Sequence, residues 1–282
     1  QNRVRHHIQH RQHPPGQSVG HGRFHCRQIP GETRQDVPGL GACVEVHRQA
    51  LQVMEHPVAD VAQNRRRDLR VQVVPAEPRH GNRHRAYGQP GAVEDLRRDT
   101  LRRQFETNLF GTQELTNRVL PAMRAQNEGR IIQMSSILGI VAFAYRGAYT
   151  ASKYALEALS DTLRLELNGT NIHVALIEPG PITSRFRDNA YQAFLANIDR
   201  EHSAHSDYYR HVEQRLGGNK PLPFTLPPEA VLENTLHALE ARRPRVRYAV
   251  TFPTHLFAVL RRLLPARALD RLLLSASGAG KR

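Results

Sequence analysis

The sequence has no tryptophan, only two cysteines and only three lysines among its 40 Lys and Arg residues. Cys26 and Cys43 are too few for a disulfide framework, and no signal peptide is recognisable, so a reducing, cytoplasmic setting is expected. No run of about 18 apolar residues occurs, so no transmembrane helix is predicted. The 282 residues are enough for one large α/β domain with a sizeable core.

The positive charge of the chain is large but diffuse. The formal net charge is +14, of which residues 1–87 (14 Arg, no Lys, 7 acidic) and residues 88–282 (26 basic, 19 acidic) contribute +7 each. No basic stripe interleaved with base-stacking aromatics is present. Nucleic acid is therefore not expected as a partner, although a basic nucleic-acid-binding protein is kept as an alternative function. The 16 histidines predict no metal site, because ligand spacings such as Cys-x-x-Cys or His-Glu-x-x-His are missing.

Residues 1–85 differ in composition from the rest of the chain. His, Arg, Gln and Pro dominate there, and Pro30, Pro57 and Pro75 are among the prolines that interrupt any long helix or strand. We therefore predict that residues 1–85 form an atypical, partly disordered segment. The catalytic region is predicted over residues 86–282.

From Tyr87 onward, apolar periodicity indicates alternating helices and strands. Helices are predicted over 100–126, 147–167 and 227–241, strands over 130–135, 172–177 and 246–251, and two short helices around Pro265. Leu101 is assigned to the apolar face of the first helix, and Ala151 and Leu159 to that of the second. The alternation predicts an α/β fold with a Rossmann-like, doubly wound parallel sheet.

Tyr149 and Lys153 stand at positions i and i+4 of a predicted helix, so they share one face. A phenol with a pKa of about 10 is a poor base at neutral pH, but a neighbouring ammonium favours the phenolate. Such a tyrosine can donate a proton to an alkoxide or take one from an alcohol. A retained lysine in an arginine-rich chain also suits a site that needs a compact, tunable ammonium. A surface tyrosine beside a lysine is the plain alternative.

Three further segments surround this pair in the sequence. Ser136 directly follows the predicted strand 130–135, and ligands bind where strands of parallel sheets end. Asn108 lies on the preceding helix, where a solvated polar side chain is the plain alternative. Residues 179–183, Pro-Gly-Pro-Ile-Thr, follow the next strand, where the chain has to turn over a ligand; taken alone, this Pro-Gly is only a turn.

The order Asn-x-x-Gly, Ser-Ser-x-x-Gly, Tyr-x-x-x-Lys and Pro-Gly-x-x-x-Thr/Ser resembles the short-chain dehydrogenases/reductases. The resemblance extends from about Ala86 to about Leu264, and the tail is similar to bacterial members related to hydroxysteroid and retinol dehydrogenases. It implies an oxidoreductase that transfers a hydride between NAD or NADP and a secondary alcohol or carbonyl of a small, apolar substrate. Homo-oligomers are usual in this family.

The resemblance also implies a role for each site residue. Tyr149 would be the general acid/base, Ser136 would hold the substrate oxygen, and Asn108 would order a water leading from Lys153 to solvent. Lys153 would lower the pKa of the tyrosine and hydrogen-bond the nicotinamide ribose. The cofactor-binding residues would be Tyr149, Lys153, Pro179, Gly180, Ile182 and Thr183, of which the last two would hold the carboxamide.

Residues 184–222 would form the substrate lid. Its aromatic side chains either contact an apolar substrate or pack the lid onto the protein; they are Tyr191, Phe194, Tyr208 and Tyr209. The apolar, arginine-containing stretch 256–274 fits contact with a membrane surface, or closure of the substrate pocket or an oligomer contact.

The first third departs from the family pattern. The family begins with an apolar strand, then Thr-Gly-x-x-x-Gly-x-Gly, then a helix whose N-terminus meets the pyrophosphate. Residues 16–22 have this glycine spacing, but Pro14-Pro15 replaces the strand and Pro30-Gly31 interrupts the helix. We therefore assign no cofactor role to these glycines. A reading-frame error or a fused segment would explain the change, so an inactive, truncated or frame-damaged remnant is a further alternative.

Overall fold

The computed structural model describes residues 71–74, 87–218 and 222–277. The predicted atypical segment therefore lies outside the described residues, except for the strand Val71–Val74. The glycine spacing at residues 16–22 also lies outside them. In the ranges that are described, no helix is both long enough and apolar enough to cross a membrane.

The described strands form one parallel sheet in the order β1-β2-β3-β4. They are β1 (Val71–Val74), β2 (Gly129–Met134), β3 (Ile172–Glu178) and β4 (Arg247–Ala249). The central pair β2 and β3 is in register from Gly129 opposite Ile172 to Met134 opposite Ile177. Parallel neighbours need crossover connections, and here helices provide them. The predicted strand–helix alternation is thereby confirmed.

Helices occur where the apolar periodicity predicts them, and two further helices lie in the segment 184–222. They are α1 (Arg98–Phe105), α2 (Gly111–Gln126), α3 (Gly147–Glu166), α4 (Phe186–Asn197), α5 (Ser206–Gly217), α6 (Glu229–Glu240), α7 (Phe252–Leu263) and α8 (Ala266–Ser277). The predicted helix 100–126 is divided, because Glu106–Phe110 between α1 and α2 is a π-helical segment. Two short 3-10 turns, Val93–Asp95 and Ile137–Gly139, precede α1 and follow β2.

Helices cover both faces of the sheet. On one face, Met123 of α2 and Leu163 of α3 pack around the buried Ile131. On the other face, Val231 of α6 packs in a cluster with Ile132. Successive residues of a strand point to opposite faces, so β2 alone supplies both cores. The prediction of a doubly wound, Rossmann-like α/β fold is confirmed.

The buried face of α1 differs from the predicted one. Leu101 is 37% exposed, whereas Gln104 is fully buried. The Gln104 Oε1 atom accepts a hydrogen bond from Gln89 N at 2.7 Å, and its Nε2 atom donates to Tyr87 O at 3.0 Å. A polar side chain is buried at small cost when its donors and acceptors are satisfied in this way. The assignment of Leu101 to the buried face is therefore wrong.

The same correction applies to α3. Ala151 and Leu159, assigned to its apolar face, are exposed, and the helix buries Lys153, Leu156 and Glu157 instead. The two charged side chains have partners inside the protein, described below. Apolar periodicity therefore predicts the position of this helix correctly but predicts the wrong buried face.

Candidate active site

A backbone hydrogen bond joins the turns at the carboxyl ends of β2 and β3, beside the candidate site. Ile137 N donates to Pro179 O at 2.8 Å, which connects the turn after β2 to the turn after β3. Ser136 caps the 3-10 turn that follows, since its Oγ atom accepts from Leu138 N at 3.2 Å. The two strand ends at which a ligand is predicted to bind are thus linked directly after Ser136.

Tyr149 and Lys153 lie together on the buried face of α3, as their spacing predicts. Lys153 Nζ is 5.6 Å from the centroid of the Tyr149 ring, and it donates to Met134 O at 2.7 Å. Burial lowers the pKa of Lys153 to about 8, and the negative charge of Glu157 opposes this shift. The lysine is therefore a buried ammonium that can lose its proton near physiological pH.

The pKa of Tyr149 shifts in the opposite direction from the one expected. Burial raises this pKa to about 12, and a hydrogen bond with Ser136 and the charge of Arg146 oppose the shift only in part. Loss of hydration of the phenolate thus outweighs the nearby positive charges. At neutral pH Tyr149 is a protonated phenol in contact with the Ser136 side chain, and its proton is available for donation.

Asn108 supports the helix that carries this pair. It is almost fully buried in the π-helical segment, and its Nδ2 atom donates to Ser152 Oγ at 3.1 Å. Ser152 Oγ in turn donates to Tyr149 O at 2.8 Å. Asn108 is therefore not a solvated polar side chain. It lies in the π-helical segment, and its amide faces α3. Its ordering of a water molecule stays a prediction.

The segment 179–183 is fixed on both sides. A Cβ atom at Gly180 would collide with Thr251 Oγ1, so the chain can pass here only with glycine. Thr183 N donates to Leu226 O at 2.9 Å, which ties the end of the segment to the chain before α6. Cofactor binding by this segment stays a prediction.

A small pocket opens beside the Tyr149 ring. It is lined by Gly88, Gln89, Pro90, Arg146, Tyr149 and Phe186. The Phe186 ring lies 5.3 Å from that of Tyr149, and a Cβ atom at Gly88 would contact both rings. Neither Arg146 nor Phe186 is predicted from the sequence patterns. The position of Arg146, three residues before Tyr149, could have indicated that it lies near the candidate site.

Two aromatic side chains of the segment that is predicted to form the lid pack into the protein. Phe194 and Tyr209 are buried in one cluster, with Tyr191 and Tyr208 packed against it. Ala92 N donates to the Tyr209 hydroxyl at 2.8 Å, and the hydroxyl donates to Asp95. The packing interpretation is therefore confirmed for Phe194 and Tyr209.

A partly buried ion cluster, which the sequence patterns do not predict, adjoins Lys153. Arg247 of β4 donates to Glu178 Oε1 at 2.7 Å and to Asp161 Oδ2 at 2.6 Å, and it also pairs with Glu157. Glu157 follows Lys153 by one helical turn, on the same face. Burial raises the pKa of Glu157 to about 7, although Arg247 opposes the shift. The cluster joins α3 to β3 and β4 behind the candidate site.

Comparisons with known proteins identify the family. Residues 86–194 match the model of the short chain dehydrogenase family. The Escherichia coli K12 oxidoreductase YbbO is 44% identical over 187 residues, which cover 66% of this chain and 64% of that protein. The probable short-chain dehydrogenase/reductase VdlC of Helicobacter pylori is 32% identical, with 66% of each chain covered. The chain thus spans slightly less than two thirds of the length of these relatives.

Solved structures agree on the fold. A short-chain dehydrogenase from Streptomyces avermitilis superimposes with a TM-score of 0.52 at 24% identity, covering 70% of this chain and 68% of that one. A short-chain dehydrogenase/reductase from Burkholderia phymatum, solved in complex with NAD, gives 0.50 at 22% identity, with 63% and 61% covered. The described fold is therefore that of the short-chain dehydrogenases. Through the region that begins at residue 86, the chain is a member of the short-chain dehydrogenase/reductase family.

Proposed function

We propose that this chain catalyses hydride transfer between NAD or NADP and a carbonyl or secondary alcohol, with Tyr149 as general acid/base. One observation carries the proposal: a half-buried, protonated Tyr149 contacts Ser136 and lies beside the Lys153 ammonium at the wall of a pocket. A phenol with a raised pKa holds its proton at neutral pH, so carbonyl reduction is the direction that this protonation state favours.

The residues divide the work of reduction as follows. Ser136 donates a hydrogen bond to the substrate oxygen as negative charge develops on it. Tyr149 Oη then gives its proton to that oxygen. Lys153 keeps positive charge beside the phenolate that forms, and Asn108 holds α3 in place through Ser152. The bound nicotinamide supplies the hydride.

The residues fit a nicotinamide nucleotide. Lys153 has three N–H donors, and the described contacts use one of them, to Met134 O, so two remain that would serve ribose hydroxyls. Pro179, Gly180, Ile182 and Thr183 would hold the carboxamide. The relative from Burkholderia phymatum was solved with NAD, and a 31% identical relative from Ornithobacterium rhinotracheale is an NADPH-dependent 3-dehydrocapnine reductase. Both cofactors are therefore included in the proposal.

Several features support an apolar substrate. Phe186 faces the Tyr149 ring across the pocket. The relatives include human retinol dehydrogenase 8, at 28% identity, and a 3-ketodihydrosphingosine reductase from Bacteroides thetaiotaomicron, at 40% identity over 102 residues. Neither the nucleic-acid-binding alternative nor the inactive remnant gains support from these matches.

Cofactor binding tests the proposal directly. The purified full chain is titrated with NADH and NADPH while nicotinamide fluorescence is followed, and carbonyl reduction is then assayed. We expect saturable binding of at least one nucleotide, weakened in Lys153→Ala, and turnover that is lost in Tyr149→Phe. Folded protein that binds neither nucleotide would contradict the proposal and favour the inactive remnant.

We also propose that the C-terminal helices touch a membrane surface. Phe252, Val259 and Leu263 lie on one side of α7 and are 59%, 53% and 72% exposed. The exposed Arg262 and Arg267 stand beside this apolar stripe and suit anionic lipids. Vesicles with anionic lipid should sediment the protein, and Leu263→Asp should reduce this. The cytoplasmic setting and a homo-oligomer stay predictions.

A further inference from the structure

One arginine lines the candidate pocket, and a second arginine acts on it. Arg146 precedes α3 and lines the pocket beside Tyr149, whereas Arg215 belongs to α5. Both side chains are half-buried. Burial lowers the pKa of Arg146 to about 10, and the charge of Arg215 lowers it further. The charge of Arg215 is therefore close enough to repel that of Arg146.

Acidic residues do not pair with these two arginines. In the described part of the chain, neither Arg146 nor Arg215 forms a salt bridge with an acidic side chain. The acidic side chains of α5 are used elsewhere: Glu213 pairs with Arg200 at 2.6 Å, and Asp207 pairs with Arg210. This corner of the site thus has an excess of positive charge.

Such an arrangement is unfavourable in the empty protein. Partly buried cations are normally paired, because loss of hydration and mutual repulsion both raise the free energy of the folded state. An oxyanion bound in the pocket would offset both the loss of hydration and the mutual repulsion. The planar guanidinium fork binds carboxylate, sulfonate and phosphate oxygens in a bidentate manner.

We infer that the pocket takes an apolar carbonyl substrate whose other end carries a carboxylate or a similar oxyanion, held by Arg146 with Arg215 beside it. The stacked rings of Tyr145 and Tyr208, 3.7 Å apart, lie next to Arg146. The identity of the ligand as a substrate rests on the proposed function. The anion site itself does not.

Equilibrium binding tests the anion site without turnover. Octanoate and 1-octanol have the same chain length and differ in charge, so calorimetric titration of the full chain with each isolates the head group. We expect octanoate to bind more tightly, and Arg146→Gln to weaken octanoate by about tenfold or more while octanol is unchanged. Higher ionic strength should weaken octanoate alone. Arg210→Gln is the matched control, because Arg210 lies on α5 but is exposed and paired with Asp207.

Three results would contradict the inference. The inference is overturned if the wild-type protein does not prefer octanoate to octanol, or if Arg146→Gln leaves octanoate binding intact. It is also overturned if Arg146→Gln weakens NADH or NADPH binding alone, since the arginines would then serve cofactor phosphates. Arg215→Gln replaces Arg146→Gln if circular dichroism shows that the latter misfolds.

Activity provides the connection to substrate. If the protein reduces carbonyls, the ratio of kcat/KM for an oxo acid to that for its methyl ester should fall in Arg146→Gln by the same factor as octanoate binding. Absence of any turnover would count against the proposed function and leave the octanoate result standing.

Discussion

Two clusters of charge flank Tyr149, and they are built differently. Behind the site, Arg247 meets the carboxylates of Glu157, Glu178 and Asp161, so every charge has a partner. At the pocket, Arg146 has arginines as its charged neighbours. Loss of one partner from a cluster of paired charges destabilises the fold. An unpaired charge can be tolerated where a ligand completes it. The difference between the two clusters separates residues that hold the site from residues that bind in it.

The largest expected effect is on Tyr149, which lies between the clusters. Tyr149→Phe removes the proton donor and keeps the ring packed against Phe186. We expect kcat for carbonyl reduction to fall by about 100-fold to 10,000-fold, the usual contribution of general acid catalysis. The melting temperature should change little. A variant that retains more than a tenth of the activity would exclude Tyr149 as the acid.

Replacing one arginine in each cluster tests whether the two clusters differ in their effect on the free energy of unfolding. Arg247→Met leaves Glu157 and Glu178 buried without their cation, so we expect the free energy of unfolding to fall by about 2–3 kcal/mol, less than for a fully buried pair because Arg247 is 33% exposed. Arg146→Met removes repulsion, so the empty protein should keep or gain stability. Denaturant unfolding of both variants measures this. Equal losses in the two variants would show that the clusters do not differ in kind.

Sequence patterns predict the sheet, the helices and the Tyr149–Lys153 pair, because periodicity and helical spacing are local properties. They do not predict which helical face is buried in α1 and α3, since Gln104 and Glu157 become buried through partners 15 and 90 residues away. The direction of the Tyr149 pKa shift is missed for the same reason. Burial depends on the whole packed domain, whereas the neighbouring lysine is visible in the sequence.

The pH dependence of reduction should report Lys153. Its pKa is lowered to about 8, so the side chain is an ammonium below that pH and neutral above it. Tyr149, with a pKa raised to about 12, stays protonated over the same range. We therefore expect kcat/KM to fall as pH rises through about 8. A profile that is flat from pH 6 to 10 would contradict this assignment.

The smallest effect connects the compensated cluster to the site. The negative charge of Glu157 raises the pKa of Lys153, so Glu157→Gln should let the lysine lose its proton more easily. We expect the alkaline fall in kcat/KM to move to lower pH by about half a unit, a shift that a moderate Coulomb interaction supplies. Glu166→Gln, at the exposed end of the same helix, should leave the profile unchanged. A profile unaffected by Glu157→Gln would mean that the cluster only holds α3 in place, whereas the shift would show that it also sets the charge of Lys153.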